Sequence, residues 1–192
     1  GGKVSHVPEV PIDKAANGMP LKLRSRILCT FQGNLGAALN FEANTILDGA
    51  NPQNPHDMRL LDAASSNAVR PQQSNDTAVT AICYSHDGAL FASGSWNTKV
   101  SLCDAASGEI IYSLSGHSHK ISGLAFSPDN RLLASASWDG DVRLWDTRNG
   151  KLIKVLGHAE QRLYQVSFSP NGKLLLVSGE DGLLRLWDLN KL

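Results

Sequence analysis

Asp62, Asp104, Asp146 and Asp188 follow one another at intervals of 42 residues, and the last two close the dipeptides Trp145-Asp146 and Trp187-Asp188. Self-similarity at a fixed period of this size marks a chain built from repeated supersecondary units. Each unit is too small to bury both of its faces, so neighbours must stack to form a core. The period also bears on function, because residues that recur for structural reasons leave few side chains for catalysis.

The clearest unit runs from Ile110 to Asp146. Within it "ISGLAFS" alternates apolar and small residues and stops at Ser127-Pro128-Asp129-Asn130, where Pro fixes φ and Asp or Asn bonds the local backbone. "LLASAS" follows, then a turn at Trp138-Asp139-Gly140. The next strand is "DVRLWD", with Val142 and Leu144 on the face opposite Asp141 and Arg143. After "TRNG" a fourth strand, "KLIKVL", leads to Gly157-His158. The expected fold class is all-β, with four short antiparallel strands per unit.

The Gly-His pairs, the "FSPD" and "FSPN" turns, the small-residue strand and the Trp-Asp ending resemble the WD-repeat (WD40-type) family. The likeness is strong over residues 110–188 and good over 76–109, which ends in Cys103-Asp104. It is weak over 27–67, where "GANPQNPHD" replaces the tight turn and Leu61 replaces the Trp. The resemblance implies β-propeller blades. About four units are expected, at 27–67 (degenerate), 68–109, 110–150 and 151–192, within a propeller segment 26–192. Residues 1–25, with Pro8, Pro11 and Pro20, read as a linker or extended arm.

In this family the outermost strand of a blade comes at the start of the next unit. The last unit therefore lacks a fourth strand, and Ile27–Phe31 is a spare one able to complete it. Four blades make a small ring beside the family's usual seven or so. The expectation is part of a seven- or eight-bladed ring, completed by more of a longer polypeptide, by another chain or by a second copy. A start without Met fits a piece of a longer chain.

The resemblance also implies a structural tetrad of buried, hydrogen-bonded side chains, which falls on His117, Ser135, Asp139 and Trp145 in the best unit. A carboxylate orients an imidazole, the imidazole meets a hydroxyl, and the hydroxyl accepts from an indole N–H. In the last unit His158, Asp181 and Trp187 match, with Val177 where the Ser would be. In the second unit the positions hold Asn75, Ser93, Asn97 and Cys103. The same constellation has the composition of a Ser/His/Asp hydrolase, but no exposed nucleophile or oxyanion stabiliser accompanies it. His117 and His119 lack further ligands at metal-site spacing. The chain reads as no enzyme, with no catalytic residues, metal or cofactor.

Function then rests on the rim. By resemblance, the residue before the turn Asp and the start of the inner strand face one opening of the ring. These positions hold Trp96, Trp138 and Glu180, together with Lys120, Ser122, Arg162 and Tyr164. Trp, Tyr and Arg are over-represented among interface hot spots, so these seven are the candidate protein-binding residues. The alternative for the two tryptophans is ordinary packing along the neighbouring blade. Separately, Trp145-Asp146-Thr147-Arg148 with Asp139 and Asp141 upstream is similar to the box of cullin-RING ligase substrate receptors, which would make Arg148 a ligase-adaptor contact.

Eighteen basic and eighteen acidic side chains cancel, so no overall field draws the chain to nucleic acid or an anionic membrane. Three cysteines without redox or metal spacing suit a reducing compartment. No apolar run approaches the ~20 residues of a membrane span. The reading is an intracellular protein, cytoplasmic or nuclear, that binds protein or peptide partners as a scaffold and subunit of a larger complex. The alternatives are a regulatory sensor module of a signalling NTPase and a substrate receptor of a cullin-RING ligase.

Overall fold

The computed structural model describes four strands between residues 37 and 74 at the level of backbone, and residues 77–191 with their side chains. The arm at 1–25, the strand expected at Ile27–Phe31, Asn75 and the irregular "GANPQNP" stretch lie outside the described residues.

Among the described residues fifteen strands form sheets of consecutive, antiparallel neighbours. The first sheet holds β1–β4 (Ala37–Asn40, Thr45–Asp48, Asp57–Asp62, Ala68–Ser74). The second holds β5–β8 (Val79–Tyr84, Leu90–Ser95, Val100–Asp104, Ile110–Leu114). The third holds β9–β12 (Ile121–Phe126, Leu132–Ser137, Asp141–Asp146, Leu152–His158). The last has three, β13–β15 (Leu163–Phe168, Leu174–Gly179, Leu184–Asp188), followed by a 3-10 turn at Leu189–Lys191. The outermost strands β4, β8 and β12 each come from the start of the next sequence unit. Pro71 sits on one of these outer strands, where a missing N–H breaks no interior ladder. Strands β1, β5, β9 and β13 lie side by side as the inner strands of successive sheets. This is the stacked-blade arrangement of a propeller, present here as part of a ring.

Packing between sheets follows the period. Ala92, Val100 and Leu102 of the second sheet are buried against Ile121, Leu124, Leu133 and Trp145 of the third. One repeat later, Ala134, Ala136, Val142 and Leu144 are buried against Leu163, Val166, Leu175 and Val177. The middle strand β10 is buried on both faces because it has a sheet on either side, whereas the outer strand β12 is exposed along most of its length. Cys83 and Cys103 are buried, and burial pushes the Cys103 thiol up to about 12. Among the described residues no helix is long and apolar enough to cross a membrane.

The same hairpin turn is built three times. Ser85, Ser127 and Ser169 each donate a hydroxyl to the side-chain oxygen two residues on, in Asp87, Asp129 and Asn171, at 2.6, 2.6 and 2.7 Å. Each also accepts from the backbone N–H five residues on, at 2.9 Å. Asn130 adopts a left-handed φ of 60° in the middle copy, a conformation Asn tolerates better than most residues.

Candidate functional site

The buried polar chain of the third sheet shows which polar residues the fold itself consumes. Trp145 Nε1–H donates to Ser135 Oγ at 2.9 Å, and Ser135 Oγ lies 2.8 Å from His117 Nε2. His117 Nδ1 lies 2.9 Å from Asp139 Oδ2, which also accepts from the Ser118 N–H at 2.8 Å. The carboxylate can only accept, so Nδ1 carries the proton and Nε2 accepts from the serine hydroxyl. Burial works to raise the Asp139 pKa. Hydrogen bonds from His117 and from the Asp141 and Ser118 N–H groups outweigh it and hold the carboxyl below its ordinary value. Ser135 is 0 % exposed, so its hydroxyl is out of reach of a substrate. Both nitrogens of His117 are occupied, and the described residues contain no cluster of three metal-ligating side chains.

The last sheet does not repeat this chain, which corrects the grouping of His158, Asp181 and Trp187. Leu183 stands one period after Asp141, so Arg185 loses the carboxylate that its counterpart Arg143 uses and closes its fork on Asp181 instead. Val177 supplies no hydroxyl for an imidazole. His158, the last residue of β12, turns outward and pairs with Asp141 Oδ1 on β11 of the same sheet at 2.8 Å. In the second sheet Cys103 replaces the indole, and Ser93 Oγ has no hydrogen-bond partner among the described residues. Asn97 there accepts from Ser95 Oγ–H at 2.6 Å.

At the end of the sheets where β10 turns into β11, the predicted rim residues converge. The backbone places them by one rule: Trp96, Trp138 and Glu180 donate their N–H groups to the carbonyls of Ala78, Lys120 and Arg162. Each rim residue is thereby pinned beside the residue that opens, or comes just before, its own inner strand. Lys120 Nζ lies 4.6 Å from the centroid of Trp96 and 3.5 Å from that of Trp138. The Arg162 guanidinium lies 4.2 Å from Trp138, and Nη1 is 3.8 Å from Glu180 Oε1. The result is an alternating row of ring, cation, ring, cation and carboxylate crossing three sheets. His119 adds a tilted ring 5.5 Å from Trp138, and the two indoles meet edge-on at 5.8 Å. Trp96 thus both packs against its neighbour and stays 41 % exposed. Lys120 is the buried member of the row, at 5 % exposure. Burial and the Arg162 charge lower its pKa. Tyr164 is exposed on β13.

Ser122 does not belong to this surface. Its hydroxyl lies within hydrogen-bond distance of two carbonyls, Ala136 O at 3.1 Å and Leu163 O at 2.6 Å, and ties its own sheet to the next. Thr80, one period earlier, reaches Gly94 O and Ile121 O in the same way. This hydroxyl hook was absent from the sequence reading, although the 42-residue spacing of Thr80 and Ser122 carried the signal. Arg148 lies at the opposite end of the third sheet, in the β11–β12 turn. Its guanidinium is closed on Asp146 at 3.1 and 2.7 Å, and this holds the Asp146 carboxyl down to about 2.

Two family models match the chain. One is described as WD domain, G-beta repeat, and matches residues 108–146 and 150–188. The other is the anaphase-promoting complex subunit 4 WD40 domain, and matches residues 59–122. No curated protein gives a significant match.

Proposed function

The chain belongs to the WD-repeat β-propeller family, and from that premise we propose a non-enzymatic scaffold that grips protein or peptide segments at the β10–β11 end of its blades. The observation that carries this reading is the row formed by Trp96, Lys120, Trp138 and Arg162, with Tyr164 exposed on β13 two residues after Arg162. Large rings and an Arg in one fixed cluster are what interface hot spots are made of. His117, Ser135, Asp139 and Trp145 are already engaged with one another in the buried chain of the third sheet. The match to a domain named for a subunit of the anaphase-promoting complex supports a place in a multiprotein assembly. The buried Cys103 thiol supports an intracellular setting, cytoplasmic or nuclear.

We take residues 26–192 as the propeller segment of a larger ring, with 1–25 as an arm. The face of β13–β15 supports this. Leu176, Leu184 and Leu186 occupy the positions that Ala134, Val142 and Leu144 hold one repeat earlier, yet they are exposed, Leu184 at 68 %. A photo-crosslinking residue at Tyr164, introduced into the full-length protein in its native extract, tests the rim reading. Crosslinks to partner peptides are expected from Tyr164 and from Trp96. Crosslinks that arise only from control positions on the outer strand, such as Ile153, would refute it. The native mass of the complete polypeptide tests the ring.

A further inference from the structure

Trp138 carries two cations against one indole, Lys120 Nζ at 3.5 Å and the Arg162 guanidinium at 4.2 Å. Like charges held this close disfavour each other, and a lysine that is 5 % exposed has given up much of its hydration. The counter-charge in place is smaller than the charge it faces. Glu180 stands 3.8 Å from Arg162, on an exposed pair of the kind that contributes little. Among the described residues no carboxylate lies within ion-pair distance of Lys120, and no hydrogen bond to its Nζ is formed. Ring quadrupoles offset part of this cost. They leave the ammonium donors without a protein acceptor among the described residues. The chain as a whole is neutral, so this is a local surplus of positive charge and not part of a general basic surface.

We infer that the rim row is an anion-recognition site, in which the carboxylate or phosphate of a partner peptide's side chain docks at Trp138, on the Arg162 guanidinium and within the field of Lys120, while the peptide lies along Trp96 and Tyr164. The inference rests on the rim reading above and adds the chemistry of the ligand. An incoming oxyanion supplies the acceptor that Lys120 lacks and takes over the Arg162 fork, whose planar donors suit carboxylate and phosphate alike. Glu180 is then a competitor held in place by the protein itself, and its removal should improve binding.

The test uses the full chain and fluorescein-labelled glycine-serine peptides carrying a central pair of glutamates, phosphoserines, glutamines or lysines, read by fluorescence polarisation. The glutamate and phosphoserine peptides are expected to bind about tenfold tighter than the glutamine one, and the advantage should shrink between about 50 and about 300 mM salt. Whichever of the two binds better identifies the source of the anion. Arg162→Gln and Lys120→Met should each erase that advantage, whereas Glu180→Gln should increase affinity about threefold, a gain no merely structural role would give. Arg162 is exposed, so its variant keeps the test valid if Lys120→Met fails to fold. Equal binding of acidic and neutral peptides, with loss on Trp96→Ala, would overturn the anion site and leave the rim reading standing. No binding by any peptide would also overturn the anion site, and the Tyr164 crosslinks would then decide the rim separately.

Discussion

Ser135 is the residue on which most of the third sheet's polar order depends, because its single hydroxyl is shared by an indole and an imidazole. Ser135→Ala leaves two buried groups without partners and is expected to destabilise the fold by about 1–3 kcal/mol, read by urea unfolding. Asp139 gives the same network a pH dependence. Its folded pKa is depressed, so its contribution is complete above the carboxyl range of the unfolded chain, near pH 4, and drains away as pH falls toward the folded value. Unfolding midpoints measured from pH 6 downward should therefore fall more steeply for the native chain than for Asp139→Asn. An equal slope in the two proteins would remove this carboxylate from the account.

Hydroxyl hooks and a close backbone approach join neighbouring sheets at the inner strands. A Cβ added at Gly123 would lie 2.9 Å from the Tyr164 carbonyl and 3.0 Å from the Gln165 Cα, both backbone atoms that cannot step aside. Gly123→Ala is expected to lower stability by about 1–3 kcal/mol, and Ser122→Ala by about 1 kcal/mol, both visible as shifts in the denaturant midpoint. The strands were legible because alternation and turn residues are local signals repeated at one period. The rim row was legible only as positions. That Lys120 lies between two rings depends on the stacking of two sheets, which no single unit encodes. The partner exchange in the last sheet was also hidden, because replacing Asp141 by Leu183 acts at one remove, by redirecting Arg185 to Asp181.

Across the whole molecule, stability in a stack of this kind is a sum of unit and nearest-neighbour terms. The third sheet has neighbours on both sides, whereas β13–β15 exposes Leu184 and Leu186. Hydrogen exchange is accordingly expected to be slowest for amides of β9 and β10 and faster for the outer strand β12; uniform protection across the sheets would contradict it.

Thr80 hooks the carbonyl of Ile121, the residue after Lys120, and Ser122 hooks that of Leu163, the residue after Arg162. Each cation of the rim row therefore springs from a stretch of main chain already fastened to the adjacent sheet. A ligand reaching that row meets groups whose positional freedom was surrendered when the chain folded, so little entropy remains to be lost on association, and even a short segment with few contacts can be held there.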